Sequence, residues 1–253
     1  MQEKRPSVRR WKAAQEHELD YWTKKLVEPG KLDEEISGYR KRAKEIVAIM
    51  REYLRLEQCV ALQIGPAAVG EIHFLPCPWR CAVDPLATRY NSICPQAAAN
   101  FLYVAGRGEA IPVRAASIDL VISTNLLDHV IDPAAVVHEI ARILKPTGYI
   151  YFENHLYSRS AAGIRKMLEM SFRVLHIPMT DMKHPHSITY GQLQTWLSDA
   201  NLQVVSDHLP SWQEARATYR ADSRLRAKLL RGYGPFPVQT YMAVLRLRGE
   251  AQK

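Results

Sequence analysis

The chain has 253 residues, a formal charge of +8 at neutral pH, 47% apolar and 24% charged residues, and four cysteines. That length can bury a full core, and one α/β domain with elaborations is the economical expectation. No apolar run approaches the ~20 residues of a membrane span. The charged start MQEKRPSVRRWK is followed by no hydrophobic signal segment, so a cytosolic, cytoplasmic protein is the default. Cys59, Cys77, Cys81 and Cys94 in so large a chain suggest no disulfide framework, and Cys77 and Cys81 lack the second ligand pair of a zinc site.

Residues 1 to about 56 are predicted as a helical N-terminal arm. Leu19, Trp22 and Leu26 share one face, Glu28-Pro29-Gly30 interrupts it, and Leu32, Ile36, Ala43, Ile46, Val47, Met50 and Leu54 form a second amphipathic stretch. Trp11, Tyr21 and Trp22 suit an arm packed on the main body or a lid over a ligand. A main domain over 57–253 then opens with a buried strand at 59–64 and the glycine-bearing turn Gly65-Pro66-Ala67-Ala68-Val69-Gly70. Such a turn lets backbone approach a ligand closely. A second strand, 80–84, ends in Asp84 about 20 residues later, the distance at which an acid can receive a ribose diol.

Residues 102–105 give a third strand. Ser117 to Asn154 reads as a βαβ unit: strand 118–123, the N-cap Asp132 with Pro133 at the first helical position, the apolar face Val136, Val137, Ile140, Ile143 and Leu144, a Lys145-Pro146-Thr147-Gly148 turn, and strand 149–152. After a helix at 161–171 comes an irregular stretch, then the capping box Thr189 to Gln192, a helix striped by Leu193, Trp196 and Leu197, a sixth strand at 202–206, and a basic helical insertion at 211–231. A final strand, 238–247, is placed to pair antiparallel at the sheet edge. The basic insertion suits an anionic partner (phosphorylated substrate, anionic lipid surface or nucleic acid) or is a solvated helix face.

The segments LQIGPAAVG, AVDPLA, GEAIP, SIDLVISTNLLDHVIDP and EIARILKPTGYIYFE, in that order, resemble the class I S-adenosylmethionine-dependent methyltransferases, and within them the methyltransferase type 11 group. The resemblance spans about 59–155. It implies a Rossmann-like, mostly parallel seven-stranded sheet with helices on both faces and an antiparallel edge strand. It also implies S-adenosyl-L-methionine as cofactor. Gly65 then lies under the methionine part, Asp84, with Pro85 beside it, takes the ribose hydroxyls, the backbone at Gly108 and Glu109 lies beside the adenine, and Thr124, Asn125 and Leu126 lie near the transferring methyl. Gln63 stands where the family commonly has an acid, Ala67 where it has a second glycine, and Arg107 where many members place an acid against the adenine amino group, which an arginine cannot receive.

The residues that could remove a proton from a hydroxyl acceptor are histidines on loops at the carboxyl edge: His129 beside Asp128, His155, and His184 and His186 around Pro185. Each also has a plain structural reading, as a turn or loop residue, and no carboxylate at fixed spacing makes them a metal site. The expected activity is methyl transfer to a small-molecule acceptor, at oxygen on a sugar, glycolipid or similar metabolite, with the basic insertion suiting a phosphate-bearing acceptor. Two rivals are a scaffold that keeps the fold without the reaction, motivated by Gln63, Ala67 and Arg107, and an RNA methyltransferase, motivated by charge. The second lacks an RNA-binding module and aromatics interleaved with its basic run. No membrane span is expected, though peripheral membrane contact is compatible with the charge; the oligomeric state is left open.

Overall fold

The computed structural model describes residues 8–94, 101–174, 185–221 and 238–249. Seven strands form one sheet in the order β3-β2-β1-β4-β5-β7-β6. They are β1 (Val60–Ile64), β2 (Trp79–Asp84), β3 (Leu102–Ala105), β4 (Ile118–Thr124), β5 (Leu144–Leu156), β6 (Leu202–His208) and β7 (Gln239–Leu247). β3, β2, β1, β4 and β5 pair in parallel, and β7 runs antiparallel between β5 and β6. The central strands are apolar on both faces because helices cover both: Leu62, Ile64, Val121 and Ile122 are all essentially inaccessible.

On one face, α4 (Pro133–Ile143) and α6 (Tyr190–Asp199) pack Val136, Val137, Ile140, Leu193 and Leu197 against the sheet. On the other, α2 (Lys31–Met50) buries Ala43, Ile46 and Met50 against Leu120, Ile122 and Tyr151. The expected caps form. The Asp132 carboxylate accepts from the Ala135 amide at the start of α4, and Thr189 and Gln192 make a reciprocal capping box on α6. The turn expected at Lys145 to Gly148 is instead the first part of β5, which begins as α4 ends. A register shift between Ile118 and Leu120 absorbs the irregularity, and Gly148 passes where a Cβ would come within 3.0 Å of the Ile118 and Asp119 carbonyls.

The arm consists of α1 (Val8–Val27) and α2, joined through Gly30 in the left-handed region at φ 77°. Trp22 of α1 is 5% exposed and packs with Ala68 and Tyr90, so α1 lies over the turn that follows β1. The remaining helices are α3 (Ala87–Ile93), α5 (Arg159–Val174) and α7 (Trp212–Ala221). Of the basic insertion, α7 holds the first part, and 222–231 lie outside the described residues, as does His184. Among the described residues no helix is long and apolar enough to cross a membrane.

Candidate active site

β1 has β2 on one side and β4 on the other, so the chain leaves β1 in one direction and returns on its far side. This switch point opens a crevice beyond the carboxyl ends of the strands. A cavity of about 200 Å³ occupies it, entered by the ends of β1 (Gly65), β2 (Asp84, Pro85) and β4 (Thr124, Asn125), with Gly108 and Glu109 from the loop after β3. Trp11, Gln15, Glu18 and Trp22, spaced to share one face of α1, complete the wall.

Two residues of the wall have conformations that suit them to a ligand. Gly65 has φ 65°, and a Cβ there would lie 2.8 Å from Leu126 Cδ1. Asn125 has φ 49°, tolerated by asparagine, and its buried Oδ1 accepts no hydrogen bond among the described residues. Asp84 is 7% exposed. Burial pushes its carboxyl up to about 7, against hydrogen bonds from the backbone of Leu86 and Ala67, and the nearby Glu18 charge raises it further.

Gln63 lies wholly buried at the end of β1. Its Nε2 donates to Glu71 Oε2 and its Oε1 accepts from the Ile72 amide at 2.9 Å. Glu71 in turn faces Arg42 of α2, whose Nε lies 3.0 Å from Glu71 Oε1 and whose Nη2 lies 3.1 Å from Glu153 Oε1. Asn125 Nδ2 also donates to Glu153, at 3.4 Å. The Glu109 backbone borders the cavity, while its side chain turns away: Oε1 accepts from the Ile131 and Asp132 amides at 2.7 and 3.2 Å.

The three candidate bases are not brought together. His129 borders the cavity, with Nε2 3.8 Å from Asp128 Oδ2. His155 lies within β5 opposite Thr240 of β7, its Nδ1 3.2 Å from the threonine hydroxyl. His186 is 4% exposed, with Nε2 2.9 Å from the Val130 carbonyl; a carbonyl only accepts, so that nitrogen carries the proton. Neither of these two borders the cavity. Among the described residues no three His, Cys, Asp or Glu side chains form a group able to hold a metal ion.

Arg42, Glu71 and Glu18 belong to the cavity wall and were not singled out from sequence. Glu18 had a legible signal, being placed with Trp11, Gln15 and Trp22 on one helical face. Arg42 and Glu71 had none, since Arg42 is brought to the site by ion pairs with distant segments and Glu71 by the fold of its loop back onto Gln63.

Residues 50–207, well over half of the chain, match the family described as a methyltransferase domain. A ubiquinone biosynthesis O-methyltransferase from Pseudoalteromonas translucida is 30% identical over 94 residues, covering 35% of this chain and 37% of that protein. The chain therefore aligns with little more than a third of the length of that curated relative. Among solved structures, geranyl diphosphate C-methyltransferase from Streptomyces coelicolor, crystallised with Mg2+, geranyl diphosphate and S-adenosyl-L-homocysteine, superposes with a TM-score of 0.59 at 11% identity over 88% of this chain and 87% of that one. The YcgJ protein from Bacillus subtilis does so with a TM-score of 0.54 at 15% identity over 83% of this chain and all of that one. With the strand order, the antiparallel β7 and the crevice between Gly65 and Asp84, these findings make the chain a member of the class I, S-adenosylmethionine-dependent methyltransferase family.

Proposed function

We propose that the chain transfers the methyl group of S-adenosylmethionine to a hydroxyl of a small-molecule acceptor, a sugar, glycolipid or similar metabolite, with His129 as general base. The observation that carries this is the meeting of left-handed Gly65, buried Asp84 and His129 on one cavity wall. The likeness to an O-methyltransferase of ubiquinone biosynthesis supports oxygen as the atom methylated.

The residues fit such a cofactor. Asp84 would offer a buried carboxylate to the ribose diol, Gly65 would leave bare backbone to the methionine part, and the Gly108–Glu109 backbone, on the same cavity, would serve the adenine. Bound S-adenosylmethionine supplies an electrophilic methyl on a sulfonium. The protein's share is therefore alignment of the acceptor and removal of its proton. His129 takes that proton, and the Asp128 carboxylate 3.8 Å from Nε2 favours the imidazolium that results.

Calorimetry with S-adenosylhomocysteine, followed by transfer of labelled methyl from S-adenosylmethionine to a panel of hydroxylated acceptors, tests the proposal. The expected result is cofactor binding in the wild type, and a His129→Gln variant that still binds cofactor while turning over slowly. No binding at millimolar S-adenosylhomocysteine would overturn it and favour a fold kept without the reaction.

A further inference from the structure

Gln63 stands where the family commonly has an acid, and its amide has little left to offer a cation. Oε1 already accepts from the Ile72 amide and is covered by the backbone of residue 70, where a Cβ would lie 2.7 Å from it. What remains of Nε2 beyond its bond to Glu71 is a donor, which a cation repels. Gly70, three residues beyond the position where the family has its second glycine, is thus what lets the loop fold down onto this amide.

Glu71 is the opposite case. It is 0% exposed and borders the cavity. Its Oε1 lies 3.0 Å from Arg42 Nε yet accepts no hydrogen bond, because the N–H does not point at it. Arg42 is also shared with Glu153. Two carboxylates face one guanidinium, so this cluster holds one negative charge more than Arg42 balances. An imperfectly matched buried charge is costly, and a cationic ligand group placed here offsets the cost.

We infer that Glu71 carries the negative charge that receives the ammonium of the cofactor's methionine part, and that Gln63 is a positioning residue that holds Glu71 in place. The acid thus stands eight residues beyond the β1 position where the family commonly has it. This inference rests on the cavity taking S-adenosylmethionine, as proposed above.

The test is a calorimetric cycle with two ligands, S-adenosylhomocysteine and its deaminated analogue S-adenosyl-4-thiobutyrate, on wild type, Glu71→Gln, and the reciprocal exchange of Gln63→Glu with Glu71→Gln. The expected loss of S-adenosylhomocysteine affinity in Glu71→Gln is about tenfold to a hundredfold, the span of one charge-assisted hydrogen bond. Affinity for the deaminated analogue should hold within about twofold, since losing the ammonium and losing the charge that receives it are not additive. The reciprocal exchange, which keeps the net charge and the amide–carboxylate bond, should recover most of the loss; it also reports should Glu71→Gln alone fold poorly. Equal weakening of both ligands in Glu71→Gln, or no weakening of either, overturns the assignment. Wild type that binds neither ligand overturns the cofactor proposal itself, a distinct outcome.

Discussion

Replacing Asp84 by asparagine should make the ligand-free protein more stable at alkaline pH while weakening cofactor binding. The carboxyl sits at about 7 in the folded protein against an ordinary 3.8, chiefly because burial penalises its charge. At about 1.4 kcal/mol per tenfold change in proton affinity, that gap corresponds to about 4 kcal/mol of destabilisation once the group is ionised. The sign follows from proton counting. Below pH 3.8 the group is protonated folded and unfolded, and costs nothing. Between 3.8 and about 7 the folded state holds a proton that the unfolded state has released, so stability falls as pH rises; above about 7 the full penalty is present and the curve levels. Asparagine carries no charge but gives up one of two acceptor oxygens that the Leu86 and Ala67 backbone uses, a loss of about 1 kcal/mol. The net gain for Asp84→Asn is therefore about 3 kcal/mol at pH 8.5, shrinking through zero near pH 4. Urea unfolding of both proteins in the absence of ligand, from pH 4 to 8.5, measures it. A difference that does not change with pH, or a variant less stable at pH 8.5, refutes a buried ionised Asp84.

With the ribose diol on Asp84 as proposed, donating to the ionised carboxylate, S-adenosylhomocysteine affinity should rise about tenfold per pH unit below about 7 and level above it, with proton release detectable calorimetrically in buffers of different ionisation heat. His129→Gln should lower kcat by about 10²–10⁴-fold for a hydroxyl acceptor at unchanged S-adenosylhomocysteine affinity, and His155→Gln, whose ring bonds to Thr240 outside the cavity, should leave both nearly as they are. Arg42→Met strips Glu71 and Glu153 of their shared cation and should cost about 1–3 kcal/mol in urea unfolding, less than the loss for a fully buried pair because the arginine side chain is 38% exposed. Gly65→Ala, forced to hold φ 65° against Leu126, should lose about 1–2 kcal/mol together with cofactor affinity.

The sheet was legible in the sequence because its signals are local. Asp132-Pro133 announces α4 by chemistry confined to one turn, Thr189 to Gln192 announces α6 in the same way, and the apolar runs of β1 and β4 need no partner to be recognised. The wall residues of the crevice were legible in part for the same reason, since Gly65, Asp84, Thr124 and Asn125 each stand at a strand end. The histidines were not, because a loop assignment says nothing about direction. β5 continues as far as Leu156 and carries His155 into the ladder beside Thr240, and His186 reaches 56 residues back to the Val130 carbonyl. Glu109 divides along the same line: its place beside the cavity follows from the backbone, whereas its side chain is taken up by two amides of the 131–132 turn.

The departures in the β1 loop read differently once their neighbours are known. An alanine in place of a glycine at residue 67 would obstruct a ligand if its methyl pointed inward. Ala67 borders the cavity and at the same time packs with the aromatic group of Trp22, Tyr90 and Tyr103, and the Tyr103 hydroxyl donates to its carbonyl at 2.6 Å. The left-handed φ of 56° at Ala67 is a backbone cost of about 1 kcal/mol, and that contact, together with the Trp22 packing, is what offsets it. Gln63 follows the same logic, neutral itself but gripping an acid that borders the same cavity. In both cases the compensating atoms belong to segments that a motif comparison of the loop alone leaves out: α1, β3 and the turn at Glu71. The loop's departures are thus matched by contacts around it, among them a buried acid held on one side by an amide and facing a guanidinium on the other.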